Sequence, residues 1–303
     1  MPVYSKLQGS SIGGVDSSFL RRIFCKLLSK FHTDRRSVGA LAKFLSGKRV
    51  TVATACSGSE GPFWVTSALE QVLVAEGIDA SFIHVFACEI CEKRRSFIRK
   101  TIPKLKKIFP DVTLLGERRS MNTVTGLFEV VDHCDLFVAG FSCKSVSFAN
   151  NLRLSFANCC LTGYGTTGGT FGGVYRYIDA HHPKMFLLEN VKGIQMQVDD
   201  ILCVFSAINY FVFTVPMNSM KLFLPQNRAR LWFICFSRDF LDTIGVDIGE
   251  LEAAFRKIVE VLEDGNELMP LGQVLLPETH PAIDRYLAMA EATPCKNLDM
   301  DHV

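Results

Sequence analysis

The stretch "RVTVATACSGSEGP" (residues 49–62) sets the expectation for the fold. Its first half is rich in β-branched and small apolar residues and predicts a buried strand. The second half places Gly58 and Gly61 before a helical pattern. Glycines there let a backbone approach a nucleotide-like ligand, although a plain tight turn has the same signature. The stretch is neither a P-loop, because no Gly-Lys-Ser/Thr follows, nor a full GxGxxG fingerprint.

Strand-like and helical patterns alternate along the rest of the chain, which predicts an α/β fold with a doubly wound, mostly parallel, seven-stranded sheet. The last two strands are joined by a loop without a helix, so we expect an antiparallel pair at one edge of the sheet. Besides residues 49–55, the predicted strands are 82–88, 112–115, 135–140, 185–190, 210–216 and 231–236, and the predicted helices lie near 62–77, 90–108, 170–181 and 198–208.

Chemically capable residues follow several of these strands. Ligands of such sheets bind outside the carboxyl ends of the strands, so these loops should meet on one face. Glu89 is a candidate acceptor for ribose hydroxyls, or an acid that interacts with a helix dipole. Cys143 is a candidate nucleophile, or one inert cysteine among eleven. Glu189, at the end of an apolar strand, is a candidate proton donor.

A row of polar residues precedes the last strand. In "LPQNRARLWF" (224–233), Gln226, Arg228 and Arg230 occupy alternate positions and would share one face of an extended segment. Two guanidinium groups on one face can bind a phosphate or a carbonyl oxygen. The alternative is a polar edge strand in contact with water.

The composition of the 303 residues excludes some classes of protein. Hydrophobic residues make up 48% of the chain, the apolar runs are too short to span a bilayer, and no signal peptide is visible. We therefore expect an intracellular protein with no membrane association. The odd number of scattered cysteines indicates reduced thiols, and the Cys88–Cys91 pair lacks a second pair at metal-ligand spacing, so no metal is expected.

Charge is distributed unevenly. Residues 1–50 hold ten Lys and Arg against two acids, whereas residues 239–303 hold four against fourteen. Residues 18–46 have apolar positions at helical spacing, which predicts a basic helical arm. Such an arm suits a polyanion such as nucleic acid, although a solvated helix face has the same composition.

Taken in order, these elements resemble the C5-cytosine methyltransferase family over roughly residues 49–237. "TACSGSEGP" (54–62) looks like the first cofactor motif, "GFSCKSVS" (140–147) looks like the catalytic cysteine motif, and "GTTGGTF" (165–171) resembles the stretch before the next helix. "ENV" (189–191) and "QNRAR" (226–230) match family motifs outright.

The resemblance implies a Rossmann-like fold that uses S-adenosylmethionine to methylate cytosine C5 in DNA. Cys143 would add to cytosine C6, Glu189 would stabilise the adduct at N3, Arg230 would contact O2 and Arg228 would support the cysteine pocket. A long loop at 144–170 would close over the flipped base. The implied cofactor-binding residues are Cys56, Ser57, Gly58, Gly61, Glu89, Ile90 and Ser142.

The chain also departs from the family pattern. Ser142 replaces a proline, Cys56 an adenine-stacking phenylalanine, and Glu60 a glycine. Thr54 and Lys144 replace an aspartate and a glutamine. The family has an aspartate after the third strand that contacts adenine, and only Asn122 is a candidate for its equivalent here. The Asn motif that completes the cofactor pocket has no counterpart near the C-terminus.

These features predict three regions: a basic helical arm (1–48), a methyltransferase catalytic domain (49–240) and an acidic C-terminal segment (241–303) that is too short for a usual target-recognition domain. A protein partner would then supply recognition, and a DNA substrate implies the nucleus. Three alternatives stay open: a tRNA methyltransferase of the same fold, a catalytically silent homologue that binds cofactor or DNA, and an unrelated small-molecule methyltransferase. The Cys-Phe-Thr element that is usual in the tRNA enzymes is not evident here.

Overall fold

The computed structural model describes Phe24, residues 45–222, residues 224–263 and Pro281. Most of the predicted basic arm, and most of the predicted acidic segment, lie outside these residues. Contacts divide the described part into a larger unit, residues 45–217 with 229–262, and a smaller unit, Asn218–Arg228 with Glu263. Within the described ranges, no helix is long and apolar enough to cross a membrane.

The larger unit is built on a seven-stranded sheet, whose strands are β1 (Lys48–Ala55), β2 (Ala80–Cys88), β3 (Ile108–Phe109), β6 (Leu136–Ala139), β7 (Met185–Val191), β8 (Tyr210–Asn218) and β9 (Ala229–Ser237). Their order in the sheet is β3-β2-β1-β6-β7-β9-β8. The neighbours from β3 to β7 are parallel, and β9 runs antiparallel to β7. The predicted fold class is therefore confirmed, with the last two strands as neighbours at one edge. The strands β4 (Arg119–Asn122) and β5 (Leu127–Val130) form a separate antiparallel pair.

Helices connect most of the strands, near the predicted positions. The helix predicted at 170–181 begins earlier, at Gly165, so the loop after β6 is shorter than the 144–170 that the sequence suggested. The helices are α1 (Gly61–Ala75), α2 (Glu92–Thr101), α3 (Cys159–Thr162), α4 (Gly165–His181), α5 (Val198–Ala207), α6 (Arg238–Ile244) and α7 (Ile248–Glu263).

The third strand was predicted wrongly. Residues 112–115 do not form a strand, because Val112–Leu114 is a 3₁₀ turn capped by Asp111, whose carboxylate accepts a hydrogen bond from Thr113 N. The third strand of the sheet is the two-residue segment Ile108–Phe109, which is fully buried. So short a strand has no period of its own in the sequence.

Core residues pack on both faces of the sheet. On β2, Phe86 contributes to one cluster, with Phe137, Tyr177 and Phe205, while its neighbour Ala87 contributes to another. This alternation follows from the two-residue period of a strand. Helices α4 and α5 therefore cover one face and α1 and α2 the other, which makes three layers.

Two C-terminal helices complete the second face of the sheet. Phe255 of α7 packs edge-on against Phe213 of β8 and Phe236 of β9, with ring centroids 5.5 and 5.9 Å apart. The first residues of the predicted acidic segment therefore belong to the core of the larger unit.

The carboxyl ends of four strands are aligned by the sheet register. Ala55 of β1 pairs with Cys88 of β2 and with Ala139 of β6, which in turn pairs with Leu188 of β7. The residues that come next along these strands are Cys56, Glu89, Gly140 and Glu189. Strand order reverses between β1 and β6, and ligands of such sheets bind at that reversal.

Candidate active site

The turn that carries Cys143 is fixed to the start of α4. Ser145 N donates to Thr167 Oγ1 over 3.0 Å, and Thr167 N donates back to Ser145 Oγ over 3.2 Å. Ser142 N donates to Thr170 Oγ1 over 3.1 Å. Cys143 itself is partly exposed. These bonds hold the backbone on both sides of the thiol and leave the side chain accessible.

The segment after β7 supports the same turn from another side. Asn190 Nδ2 donates to Phe141 O over 3.0 Å, and Asn190 is buried. A Cβ atom on Gly193 would lie 1.9 Å from Val146 O, so this backbone approach requires glycine. The "ENV" motif and the residues after it therefore support the Cys143 turn.

Glu189 and Arg230 form an ion pair beside this turn. Arg230 Nε lies 2.6 Å from Glu189 Oε1, and both side chains are about one-fifth exposed, at 20% and 24%. A Cβ atom on Gly140 would lie 3.2 Å from Glu189 Oε2, so the carboxylate sits against the strand end three residues before Cys143. The structure thus gathers Glu189, Arg230 and the Cys143 turn at the ends of adjacent strands.

The turn between β1 and α1 has an unusual backbone. Cys56, Gly58 and Glu60 have positive φ values of 52°, 58° and 63°. Added Cβ atoms on Gly58 or Gly61 would meet no atom within 4 Å, so the backbone of this turn has open space beside it. Ser57 N and Ser57 Oγ both donate to Cys88 O over 3.2 Å, which attaches the turn to the end of β2.

Glu89 is the second link between this turn and β2. Its carboxylate accepts hydrogen bonds from Gly58 N at 2.8 Å and from Cys91 N at 2.9 Å, and it is 2% exposed. Ile90, the next residue, is 80% exposed. Glu89 orients the turn, and Ile90 exposes an apolar side chain at the carboxyl end of β2.

Cys56 lies within this turn and is a free thiol. The other eight cysteines that the structure describes, elsewhere in the chain, are also free thiols. Burial, together with the negative charges of Glu89 and Asp111, raises the pKa of Cys56 to about 12. Cys56 is therefore protonated at neutral pH and serves as an apolar contact, not a nucleophile.

Asp111 is a candidate that the sequence reasoning missed. It follows the true third strand, and its negative charge contributes to the raised pKa of the Cys56 and Cys88 thiols, so it lies near the turn between β1 and α1. Asn122 is instead buried in β4, where its amide bonds Ile108 N and Lys106 O. Shifting the third strand to 108–109 would have pointed to Asp111 as the acid at its carboxyl end.

The first part of the Gln-x-Arg-x-Arg motif lies in the smaller unit. There Asn218 Oδ1 accepts a hydrogen bond from Arg228 N over 3.1 Å, and Ser219 Oγ donates to Gln226 O over 2.6 Å. Gln226 and Arg228 are exposed. The support that Arg228 was predicted to give the cysteine pocket stays a prediction.

The family model for C-5 cytosine-specific DNA methylases matches residues 68–268 of this chain, which is more than half of its length. The chain belongs to this family. The resemblance drawn from the short motifs is thereby confirmed, and the match extends past β9 into α6 and α7.

Two curated methyltransferases illustrate what the chain is similar to. It is 29% identical over 194 residues to the DNA (cytosine-5-)-methyltransferase DMT5 of Cryptococcus neoformans, and 32% identical over 162 residues to the type II methyltransferase M.HgiCI of Herpetosiphon aurantiacus. These matches cover 63% and 50% of this chain but only 8% and 36% of the relatives. The S. pombe Dnmt2 methyltransferase structure has a TM-score of 0.39 at 15% identity and covers 63% of this chain and 50% of that one.

Proposed function

We propose that this methylase transfers a methyl group from S-adenosylmethionine to C5 of cytosine in DNA through a covalent adduct on Cys143. One observation carries the proposal: the turn of Cys143 and the Glu189–Arg230 ion pair lie together at the ends of strands β6, β7 and β9. A nucleophile, a carboxyl group and a guanidinium are the groups that this reaction needs.

The chain's residues suit the nucleophilic steps. Cytosine C5 does not react with an electrophile unaided, so the Cys143 thiolate first adds to C6 and its electron pair forms the S–C6 bond. The electrons of the C5–C6 double bond shift towards N3, where Glu189 donates a proton or a strong hydrogen bond. The resulting enamine makes C5 nucleophilic.

Arg230 would hold the base in place by donating to O2 from a guanidinium nitrogen other than Nε, which faces Glu189. Once C5 carries the methyl group, water takes the C5 proton, and the electron pair of the C5–H bond re-forms the C5–C6 double bond. The C6–S bond breaks, Cys143 leaves as a thiolate, and a proton given to N3 returns to Glu189. The nucleophile is therefore regenerated in each turnover.

The turn at residues 56–61 and Glu89 fit an adenosine-containing cofactor. The glycine backbone has open space beside it, and the Glu89 carboxylate retains lone pairs for ribose hydroxyls. Ile90 and Asp111 would contact the adenine, and Cys56, Ser57, Gly61 and Ser142 would line the rest of the site. S-adenosylmethionine, when bound there, supplies a methyl group on a sulfonium centre.

DNA is the proposed substrate because both relatives named above are methyltransferases and the first is named for DNA cytosine. The target base must leave the duplex to reach Cys143, which lies on a turn after the carboxyl end of β6. A DNA substrate would place the protein in the nucleus of a eukaryotic cell. A partner protein, or a further part of a longer chain, would add sequence recognition.

Tritiated methyl transfer to DNA and to tRNA tests this function, with wild type, Cys143→Ser and Cys203→Ser. Cys203 is the matched control because it is exposed on α5. We expect label in DNA with wild type and Cys203→Ser and none with Cys143→Ser. Transfer to tRNA alone would contradict the DNA assignment, and equal transfer by Cys143→Ser would contradict the mechanism.

A further inference from the structure

A buried acid lies beneath the turn between β1 and α1. Glu60 is completely buried, at 0% exposure, and has a φ of 63°, a conformation that non-glycine residues rarely adopt. Thr54 Oγ1 donates to Glu60 Oε1 over 2.7 Å. The second oxygen, Oε2, lies 3.4 Å from His84 Nε2 and has no hydrogen-bond partner. A strained backbone and a half-satisfied buried carboxyl are both unfavourable, so the rest of the structure must hold Glu60 in place.

Glu60 joins four elements through its backbone and its side chain. Its N–H donates to Ser57 O over 2.9 Å, which closes the turn, and its carbonyl accepts from Phe63 N and Trp64 N, which begin α1. Its side chain reaches Thr54 on β1 and approaches His84 on β2. Any movement of this carboxyl therefore moves the backbone of residues 57–60.

We propose that Glu60 is a positioning residue for the cofactor: its side chain ties the turn at residues 56–61 to β1 and β2 and so holds Gly58 against Glu89. This inference rests on the proposed function, which assigns S-adenosylmethionine as the ligand of this turn. Glu60 does not touch the reacting atoms and acts through the shape of the turn.

A neutral carboxyl group avoids the cost of a buried charge at this tie. A protonated Glu60 accepts from Thr54 at one oxygen and can donate from the other towards His84 Nε2. Burial raises the pKa of Glu60 to about 7; the hydroxyls of Ser57 and Thr54 act to lower it, and the negative charge of Glu89 adds to the rise. Burial lowers the pKa of His84 to about 4, so this imidazole is neutral at physiological pH and cannot compensate an ionised Glu60 by charge.

Ionisation of Glu60 puts an uncompensated charge in the core, near the charge of Glu89. The turn should then loosen as the pH rises through 7. In Glu60→Gln, the amide keeps an acceptor for Thr54 and a donor towards His84 but does not titrate. This variant is therefore the matched control.

The first measurement is the affinity of the full chain for S-adenosylmethionine alone, by calorimetry at pH 6, 7 and 8. We expect the ratio of Kd values, wild type over Glu60→Gln, to rise about fivefold across this range, because one pKa unit of differential interaction reaches its full tenfold effect only at higher pH. Dividing by the variant cancels the titration of the cofactor itself. Thr54→Val removes a bond that lowers the pKa of Glu60, so its transition should lie at higher pH than that of wild type.

The second measurement needs no cofactor. Trp64 Nε1 donates to Ser59 O within the same turn, over 3.3 Å, and the chain has one other tryptophan, Trp232. In a Trp232→Phe background, the emission of Trp64 should change with a midpoint near pH 7. The change should disappear when Glu60→Gln is added.

Two failures can be told apart. A pH-independent ratio of Kd values, or a Trp64 transition that survives Glu60→Gln, would overturn the role of Glu60 and leave the proposed reaction intact. If wild type does not bind S-adenosylmethionine at pH 6, at pH 7 or at pH 8, the cofactor assignment would instead be overturned.

Discussion

Arg230 Nε lies 2.6 Å from Glu189 Oε1, across the antiparallel pair of strands β7 and β9. Arg230 is opposite Val191 in the register, and Glu189 is opposite Trp232, so the ion pair runs diagonally between the two strands. The carboxyl group and the guanidinium assigned to one cytosine are thus already in contact. This contact makes the two residues a unit, and their substitutions should not be additive.

Glu189→Gln should lower turnover by about 10²-fold, because the amide keeps the shape but cannot donate a proton to N3. Cofactor affinity should stay nearly unchanged. Arg230→Gln should cause a comparable loss, and the double variant should lose little more than the worse single one. Single-turnover methylation of DNA measures all three, and fully additive losses would show that the two residues act separately.

Cys143 should form a trapped adduct with DNA that contains 5-fluorocytosine, because fluorine cannot leave C5 as a cation. With S-adenosylmethionine present, wild type and Cys203→Ser should each give a band that resists denaturing electrophoresis. Cys143→Ser should give none. A band that persists in Cys143→Ser would assign the nucleophile to another residue.

Gly193→Ala should displace the Cys143 turn, because the added Cβ would lie 1.9 Å from Val146 O. We expect a loss of about 1–3 kcal/mol in the free energy of unfolding and a much slower trapping reaction. Gly169→Ala is the control: its added Cβ meets no atom within 4 Å, and alanine favours the α4 helix by about 0.5–1 kcal/mol. Denaturant unfolding measures the stability of each variant, and the rate of adduct trapping measures the reactivity of Cys143. A normal trapping rate in Gly193→Ala would show that Gly193 does not support the Cys143 turn.

Asp111→Asn should weaken the binding of S-adenosylmethionine by about tenfold, the equivalent of roughly 1.4 kcal/mol. Asparagine keeps the acceptor for Thr113 N, so the 3₁₀ turn should survive and the unfolding transition should barely move. Glu117→Gln, an exposed acid in the same connection, should bind the cofactor normally. An unchanged affinity in Asp111→Asn would remove Asp111 from the cofactor site.

Most of the basic arm lies outside the described residues, and its role in binding phosphate stays a prediction. Neutralising Arg21, Arg22, Lys26 and Lys30 together should flatten the dependence of DNA affinity on salt by about one unit for each phosphate that the arm no longer neutralises. Sequence preference should not change. If the arm only packs against the fold, the salt slope will stay the same and the melting temperature will fall instead.

Local patterns were sufficient for most of the fold. Strands such as Leu136–Ala139 and Met185–Val191 are apolar along most of their length, because they are central strands of a mostly parallel sheet with a layer on each face. The two-residue strand Ile108–Phe109 is held by its neighbours and has no pattern of its own. Because this strand was placed too late in the chain, the acid after it was sought near Asn122 and not at Asp111.

The sequence by itself determined the fold class, the family and the candidates Cys143, Glu89 and Glu189, because strand–turn–helix patterns and short motifs are local along the chain. Only the tertiary structure decided that Arg230 bonds Glu189, that Gly193 supports the Cys143 turn and that Glu60 is buried between β1 and β2. Each of these depends on register or on close packing between residues far apart in the chain. No local pattern encodes such distances, since they are fixed when the strands pair and the helices pack on the two faces of the sheet.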